Sequence, residues 1–363
     1  MNNIHIEFGS DIDTKSNLNY ICNNSYNKWL NNSYFFRSAR DILKYIAKLQ
    51  KNNCSNRIFI PILCCNSMFK PFKDNGYEII FYPLQDDYTI NISYINNNLQ
   101  NNDIILVSNY LGLKNNVSTL HENHFLNDLK KNFHCITIIK DYTHTLKDAL
   151  YTNKNLDDFS IFSVRKWAGF PDGGILWSNK KINVNYDKYD STYFEYKKRA
   201  MDLKSIYLEN HNTQIKKEFL NLFKEAEHLL DKDNNIIQIS EYSRKLLYTF
   251  DFEKILQVRT ENIKYLSHHT NFLKNLLNNN NLSGLYFPIY LNKNQTEIQK
   301  YLANYNIYCP IIWPSPKGYE NFSEFSTNIV SHMLAIPCDQ RYSYEDLNYI
   351  INILKNYNST NNI

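Results

Sequence analysis

Glycine is scarce in this chain, with eight residues in 363, so there are few places where the backbone is free to take unusual turns. No Gly-x-Gly-x-x-Gly follows any predicted strand, which argues against a nicotinamide-dependent dehydrogenase. The seven cysteines are odd in number, with no Cys-x-x-Cys pair and no regular spacing, which fits reduced, mostly buried thiols better than a disulfide framework. No apolar run approaches the roughly 18 residues of a membrane span, and Met1 to Phe8 lacks a charged lead followed by an apolar stretch. The expectation is a cytoplasmic protein with no membrane partner. Charge of one sign is also missing: 40 basic against 36 acidic residues gives +4, with the lysines scattered among acids, so nucleic acid is not an expected partner. The excess of Asn, Tyr, Phe and Lys is the kind that AT-rich coding favours.

The length allows two or three structural units. From about residue 38 to 180, continuous apolar runs alternate with helix-length amphipathic stretches, the rhythm of a doubly wound α/β layer. Predicted strands are Arg57 to Ile60, Glu78 to Tyr82, Ile104 to Ser108, Ile136 to Lys140, Phe159 to Val164 and Gly174 to Trp177, with helices at Ala39 to Leu49, Ser67 to Lys73 and Leu126 to Phe133. Residues 190 to 275 read as a helical connector, including Thr213 to Leu230. The alternation returns after Gly284 in a smaller unit, with strands at Leu285 to Leu291, Tyr308 to Trp313 and Met333 to Ile336, and helices at Ile298 to Asn304 and Tyr344 to Tyr357. Asn-rich patches at 96–102 and 277–281 read as polar loops.

Three segments carry chemistry. Ile138-Ile139-Lys140-Asp141-Tyr142-Thr143-His144 is an apolar strand ending in an acid, with a histidine three positions later. Ligands of open α/β sheets sit at the carboxyl ends of strands, and an Asp there keeps a pyridine nitrogen protonated; an Asp capping the next segment would look the same in isolation. Next comes Ser163-Val164-Arg165-Lys166-Trp167, followed by Gly169, Gly173 and Gly174, three of the eight glycines. A strand-end lysine beside a tryptophan is expected to be partly desolvated and able to attack an aldehyde, and Ser163 could bond a phosphate. Finally, Ser38-Ala39-Arg40 opens the first amphipathic helix, where free amides bind phosphate and Ser38 would be both cap and ligand.

In this order the three segments resemble fold-type-I pyridoxal 5'-phosphate enzymes, and most of all the DegT-type sugar aminotransferases. The resemblance implies a three-layer doubly wound mixed α/β sheet, an aspartate aminotransferase-like large domain, and a smaller C-terminal α/β domain. The expected division is an N-terminal arm 1–35, a cofactor domain with helical connector 36–250, and a small domain 251–363. Lys166 would hold pyridoxal phosphate as a Schiff base, Asp141 would pair with the ring nitrogen, and His144 would lie against the cofactor. Ser38, Ala39 and Arg40 replace the family's Ser-Gly-Thr turn, and Leu334-Ala335-Ile336-Pro337 matches a C-terminal run of the family. The chain departs from the family where an aromatic residue commonly covers the cofactor ring: it has Cys64-Cys65-Asn66, which makes Cys65 the candidate there. Ser163 stands three residues before the lysine, where many sugar aminotransferases place it five before.

Further candidates are Asn109 near the cofactor's ring hydroxyl, Arg165 binding a phosphate or substrate carboxylate, and Trp313 at a substrate mouth. His121-x-x-His124 has metal-ligand spacing without a third ligand in view, so no metal is expected. The implied reaction takes an amino group from glutamate to a nucleotide-linked keto sugar, in a homodimer, within polysaccharide or secondary-metabolite biosynthesis. Two alternatives stay open: a pyridoxal phosphate-dependent lyase or decarboxylase, and a non-catalytic cofactor-binding sensor or scaffold.

Overall fold

The apolar runs of the first half pair into one central sheet in the computed structural model, which describes residues 7–22, 27–152, 157–276 and 284–361. In chain order the strands are β1 (Phe8–Gly9), β2 (Ser33–Phe36), β3 (Arg57–Pro61), β4 (Glu78–Tyr82), β5 (Ile104–Ser108), β6 (Thr137–Asp141), β7 (Phe159–Ser163), β8 (Gly174–Ser178), β9 (Lys274–Asn275), β10 (Phe287–Tyr290), β11 (Ile307–Tyr308) and β12 (Met333–Ile336). The α-helices are α1 (Ala39–Asn52), α2 (Asn66–Asp74), α3 (Ile92–Asn98), α4 (Asn116–Asn132), α5 (Leu146–Tyr151), α6 (Thr192–Asn210), α7 (Thr213–Lys232), α8 (Glu241–Thr249), α9 (Phe252–His269), α10 (Gln295–Ala303), α11 (Glu324–His332) and α12 (Tyr344–Asn361).

Seven strands run in the order β2-β8-β7-β6-β5-β3-β4. Pairing is parallel from β4 through β7, and antiparallel where β8 meets β7 and β2. This is the mixed α/β sheet that the sequence implies. Every residue of β5 and β7 is buried, as strands covered on both faces must be. The chain winds β3 to β4 towards one edge, then crosses back to β5 and on to β6 and β7. The reversal between β3 and β5 is a topological switch point, and the carboxyl ends of β3, β5, β6 and β7 open beside it. A three-stranded sheet, β12-β10-β9, and a parallel pair of β1 with β11 make up the remaining strands described. No helix among the described residues is long and apolar enough to cross a membrane.

Several local readings shift. The expected helix from Leu126 to Phe133 is the second half of α4, which starts at Asn116 because the Asn115 side chain caps it by accepting from Ser118 N at 2.7 Å. The expected strand Tyr308 to Trp313 ends at Tyr308, since Pro310 has no N–H to give to a ladder. Asn96 to Asn98 close α3 instead of opening a loop, while the patch 277–281 lies outside the described residues.

Candidate active site

The strand ends surround a cavity of about 220 Å³ whose walls include Ala39, Arg40, Cys65, Asn109, Asp141, His144, Ser163, Arg165, Lys166 and Trp313. Ten of the eleven residues singled out in the sequence therefore meet in one place. The register explains how: Asp141 pairs with Ser108 on β5 and with Ile161 on β7, while Ser163 pairs with Gly174 on β8.

Lys166 closes a single 3-10 turn after β7, and its Nζ lies 3.4 Å from His144 Nε2. Its side chain is exposed to the cavity, which corrects the expectation that Trp167 desolvates it. Trp167 turns inwards instead, fully buried, with its Nε1 donating to the Thr143 carbonyl at 2.8 Å. The Trp167 carbonyl accepts from Arg259 Nη2 at 3.2 Å and from Gln340 Nε2 at 2.8 Å, and Arg259 Nη1 donates to the Leu285 carbonyl at 3.0 Å. The lysine turn is thus pinned from behind by α9 and by the segment after β12, which leaves its amine facing open space.

Asp141 Oδ1 accepts from the Thr143 amide at 2.8 Å. Burial pushes its carboxyl above the usual range, against the opposing pull of the Thr143 hydrogen bonds and the Lys166 charge. Burial, reinforced by the Lys166 charge, holds His144 well below 6.5, so its ring is neutral at neutral pH and Nε2 can accept from Lys166. Asn109 is fixed on both sides, its backbone N–H donating to the Asp141 carbonyl at 3.1 Å and its side-chain Nδ2 to Asp148 Oδ2 at 2.7 Å.

The start of α1 forms the next wall. A side chain added at Gly174 would lie 2.5 Å from the Ser38 carbonyl carbon and 2.7 Å from Ala39 N, so only glycine lets α1 begin here. Ser38 is engaged as the helix cap: Oγ accepts from Asp41 N and donates to Asp41 Oδ2, both at 3.1 Å, and it is not among the cavity-lining residues. Its expected double role as cap and ligand reduces here to the cap. Ser163 Oγ, Arg40 Nε and Nη1, and Arg165 Nε are buried without a hydrogen-bond partner. All three residues line the cavity beside the α1 N-terminus.

Cys65 Sγ lies 2.9 Å from Ser67 Oγ at the cavity wall. Aromatic cover comes from elsewhere, as Trp313 packs edge-on against Tyr110 at 4.7 Å and 5.2 Å from the His144 ring. Trp313 holds φ +58, a conformation that bulky residues rarely take, in the Pro310 to Pro316 segment. Arg165 faces α7 as well as the cavity, since its Nη1 donates to Glu227 at 3.1 Å. Sequence reasoning missed Tyr286 and Tyr110 on the cavity wall and Glu227 behind it. His121 and His124 are exposed on α4 and do not line the cavity. Among the described residues, no group of three or more His, Cys, Asp or Glu could hold a metal ion.

No family model and no curated relative matches this chain by sequence. Solved structures do match by fold. Spr1654 of Streptococcus pneumoniae, a candidate sugar aminotransferase solved in PLP, PMP and apo forms, superposes in its PMP form with a TM-score of 0.64 over 98% of both chains at 14% identity. PseC of Helicobacter pylori, an aminotransferase in pseudoaminic acid biosynthesis, gives 0.64 over 97% of this chain and 100% of its own at 14% identity. A NifS-like protein gives 0.56 over 91% of this chain and 83% of its own at 11% identity. The chain has the fold of these proteins.

Proposed function

We propose that this chain is a pyridoxal phosphate-dependent aminotransferase of the DegT sugar type, moving an amino group from glutamate to a nucleotide-linked keto sugar. The observation that carries the reading is the meeting of Asp141 and Lys166, from adjacent strand ends, with the unpartnered buried donors of Ser163, Arg40 and Arg165 in one cavity. The residues fit the coenzyme part by part: a carboxylate for the ring nitrogen, an amine for the aldehyde, and Ser163, Arg40 and the α1 N-terminus for the phosphate. Bound there, the coenzyme supplies an electron sink for the carbon that carries the amino group.

The protein's own share follows from its geometry. Asp141 would pair with the ring nitrogen and keep it protonated. His144 stays neutral and accepts from Lys166 Nζ, aiming the amine along one direction. Once free of other bonds, Lys166 Nζ takes and returns the proton at the substrate carbon. Trp313 and Tyr110, packed edge to face on the cavity wall, would shield the reacting carbon from water. We place the protein in the cytoplasm as a homodimer, in polysaccharide or secondary-metabolite biosynthesis.

The test is to incubate the purified protein with pyridoxal phosphate and glutamate and to measure 2-oxoglutarate. Stoichiometric 2-oxoglutarate, with the coenzyme left in its amine form, supports transamination. Turnover of an amino acid with no ketoacid and no amine form would replace it with a lyase reading.

A further inference from the structure

Helices α6 and α7 form a hairpin with apolar clusters of its own, one around Met201 and Phe219 and one around Tyr193 and Leu230. At its base three polar side chains reach the back of the cavity wall. Tyr193 Oη accepts from Arg165 Nη1 at 2.5 Å, and Glu227 Oε1 accepts from the same nitrogen at 3.1 Å. Glu227 Oε2 lies 3.7 Å from Arg40 Nη2, and Asp231, one helical turn on, lies 2.9 Å from Arg40 Nη1 as a charge contact without hydrogen-bond geometry. Lys197 completes the group, 3.4 Å from Glu227 and 3.0 Å from Asp11. Burial pushes Glu227 up, but Arg165, Lys197 and Arg40 more than offset it and hold the carboxyl at about 2.

We infer that Glu227 is a positioning residue for an anion site made of Arg40, Arg165 and Ser163. A guanidinium is a rigid planar fork, so fixing its Nη edge sets the direction of its Nε–H. Glu227 lies against an Nη group of each arginine, and both Nε atoms, with Arg40 Nη1 and Ser163 Oγ, are buried without hydrogen-bond partners. Without the carboxylate, two neighbouring guanidiniums would repel each other, and each would be held by one remaining partner, Tyr193 or Asp231, leaving rotamer freedom that an arriving anion must then remove. Repulsion between Glu227 and that anion is weak by comparison, because three cations already neutralise the carboxylate. The identity of the anion as the coenzyme phosphate rests on the function proposed above; the site itself stands on the unpartnered donors.

The test measures binding of inorganic phosphate, pyridoxal phosphate and pyridoxal to the full chain by calorimetry, for the native protein, Glu227→Ala and Glu227→Gln. Glu227→Ala should lose about tenfold or more in affinity for both phosphate-bearing probes, the scale of a charged hydrogen bond, and keep its affinity for pyridoxal. Glu227→Gln keeps one acceptor oxygen but neither the charge nor the second oxygen, so it should recover only a minor part of the loss. If the alanine variant does not fold, Glu227→Asp, which retracts the carboxylate, replaces it. Phosphate binding that is unchanged or tighter, or a loss shared equally with pyridoxal, overturns the inference, as does a native protein that binds no phosphate. A native protein that binds phosphate but not pyridoxal phosphate overturns the coenzyme reading alone, and the phosphate arm still decides the role of Glu227.

Discussion

Two clusters of buried polar groups in this molecule look alike in composition and opposite in how they are satisfied. Where β1 meets the C-terminal segment, Glu7 bonds Lys204 and Lys216, each at 2.9 Å, and Arg341 forks onto Asp339 with two contacts of 2.8 Å. Gly9 N donates to Tyr342 Oη at 2.7 Å in the same seam. Burial alone would push Asp339 up, yet the Arg341 guanidinium holds it far below the usual carboxylate range. At the strand ends, by contrast, Ser163, Arg40 and Arg165 keep buried donor atoms with no partner. A closed network recovers the cost of its burial within the fold and joins segments distant in sequence. An open one retains bonding capacity that a ligand can use.

Substitutions that exchange the two behaviours test this contrast. The largest effect belongs to the closed network: Asp339→Asn strips a buried guanidinium of its counter-charge and should destabilise the fold by about 3–5 kcal/mol, read from urea unfolding, with coenzyme affinity unchanged. Asp141→Asn is expected to do the reverse. Turnover with glutamate should fall by about 10²–10³, while stability holds or rises, because a carboxyl already pushed up by burial loses its desolvation penalty. A fall in stability with turnover intact would move Asp141 into the structural class.

Smaller still, Ser163→Ala deletes a hydroxyl that has no partner in the fold. Thermal stability should hold, and affinity for pyridoxal phosphate should drop by about tenfold relative to pyridoxal. The mildest effect is a pH dependence. His144 has a folded pKa well below 6.5, so as pH falls beneath 6.5 the unfolded chain takes up a proton that the folded chain does not. Stability attributable to His144 is therefore present above that range and is lost towards acid, at no more than about 1.4 kcal/mol per pH unit. Denaturation of His144→Gln across the same range should show a correspondingly shallower slope; an unchanged slope would mean the ring is not held neutral by its site.

The sheet was legible because β3 to β8 are continuous apolar runs bounded by turn residues. Asp141 and Lys166 were legible because each stands at the end of such a run, where register alone brings the two strands together. The partners of these residues were hidden. Glu227 lies 62 positions from Arg165 on a helix whose periodicity reports only its own packing, and Arg259 lies 92 positions from the Trp167 carbonyl that it fixes. Ser38 reads as a ligand from its position, but Asp41 three residues later takes its hydroxyl. The tryptophan beside the lysine suggests desolvation, yet nothing local in the sequence says which way its ring turns.

The most direct test is to add pyridoxal phosphate to the full chain, reduce with borohydride, and locate the added mass by peptide mass spectrometry. A visible absorbance band that reduction abolishes, with the coenzyme fixed on the Lys166 peptide and absent from Lys166→Ala, is the predicted result. A protein that stays colourless, or one that carries the label on another lysine while Lys166→Ala labels equally well, would contradict the account.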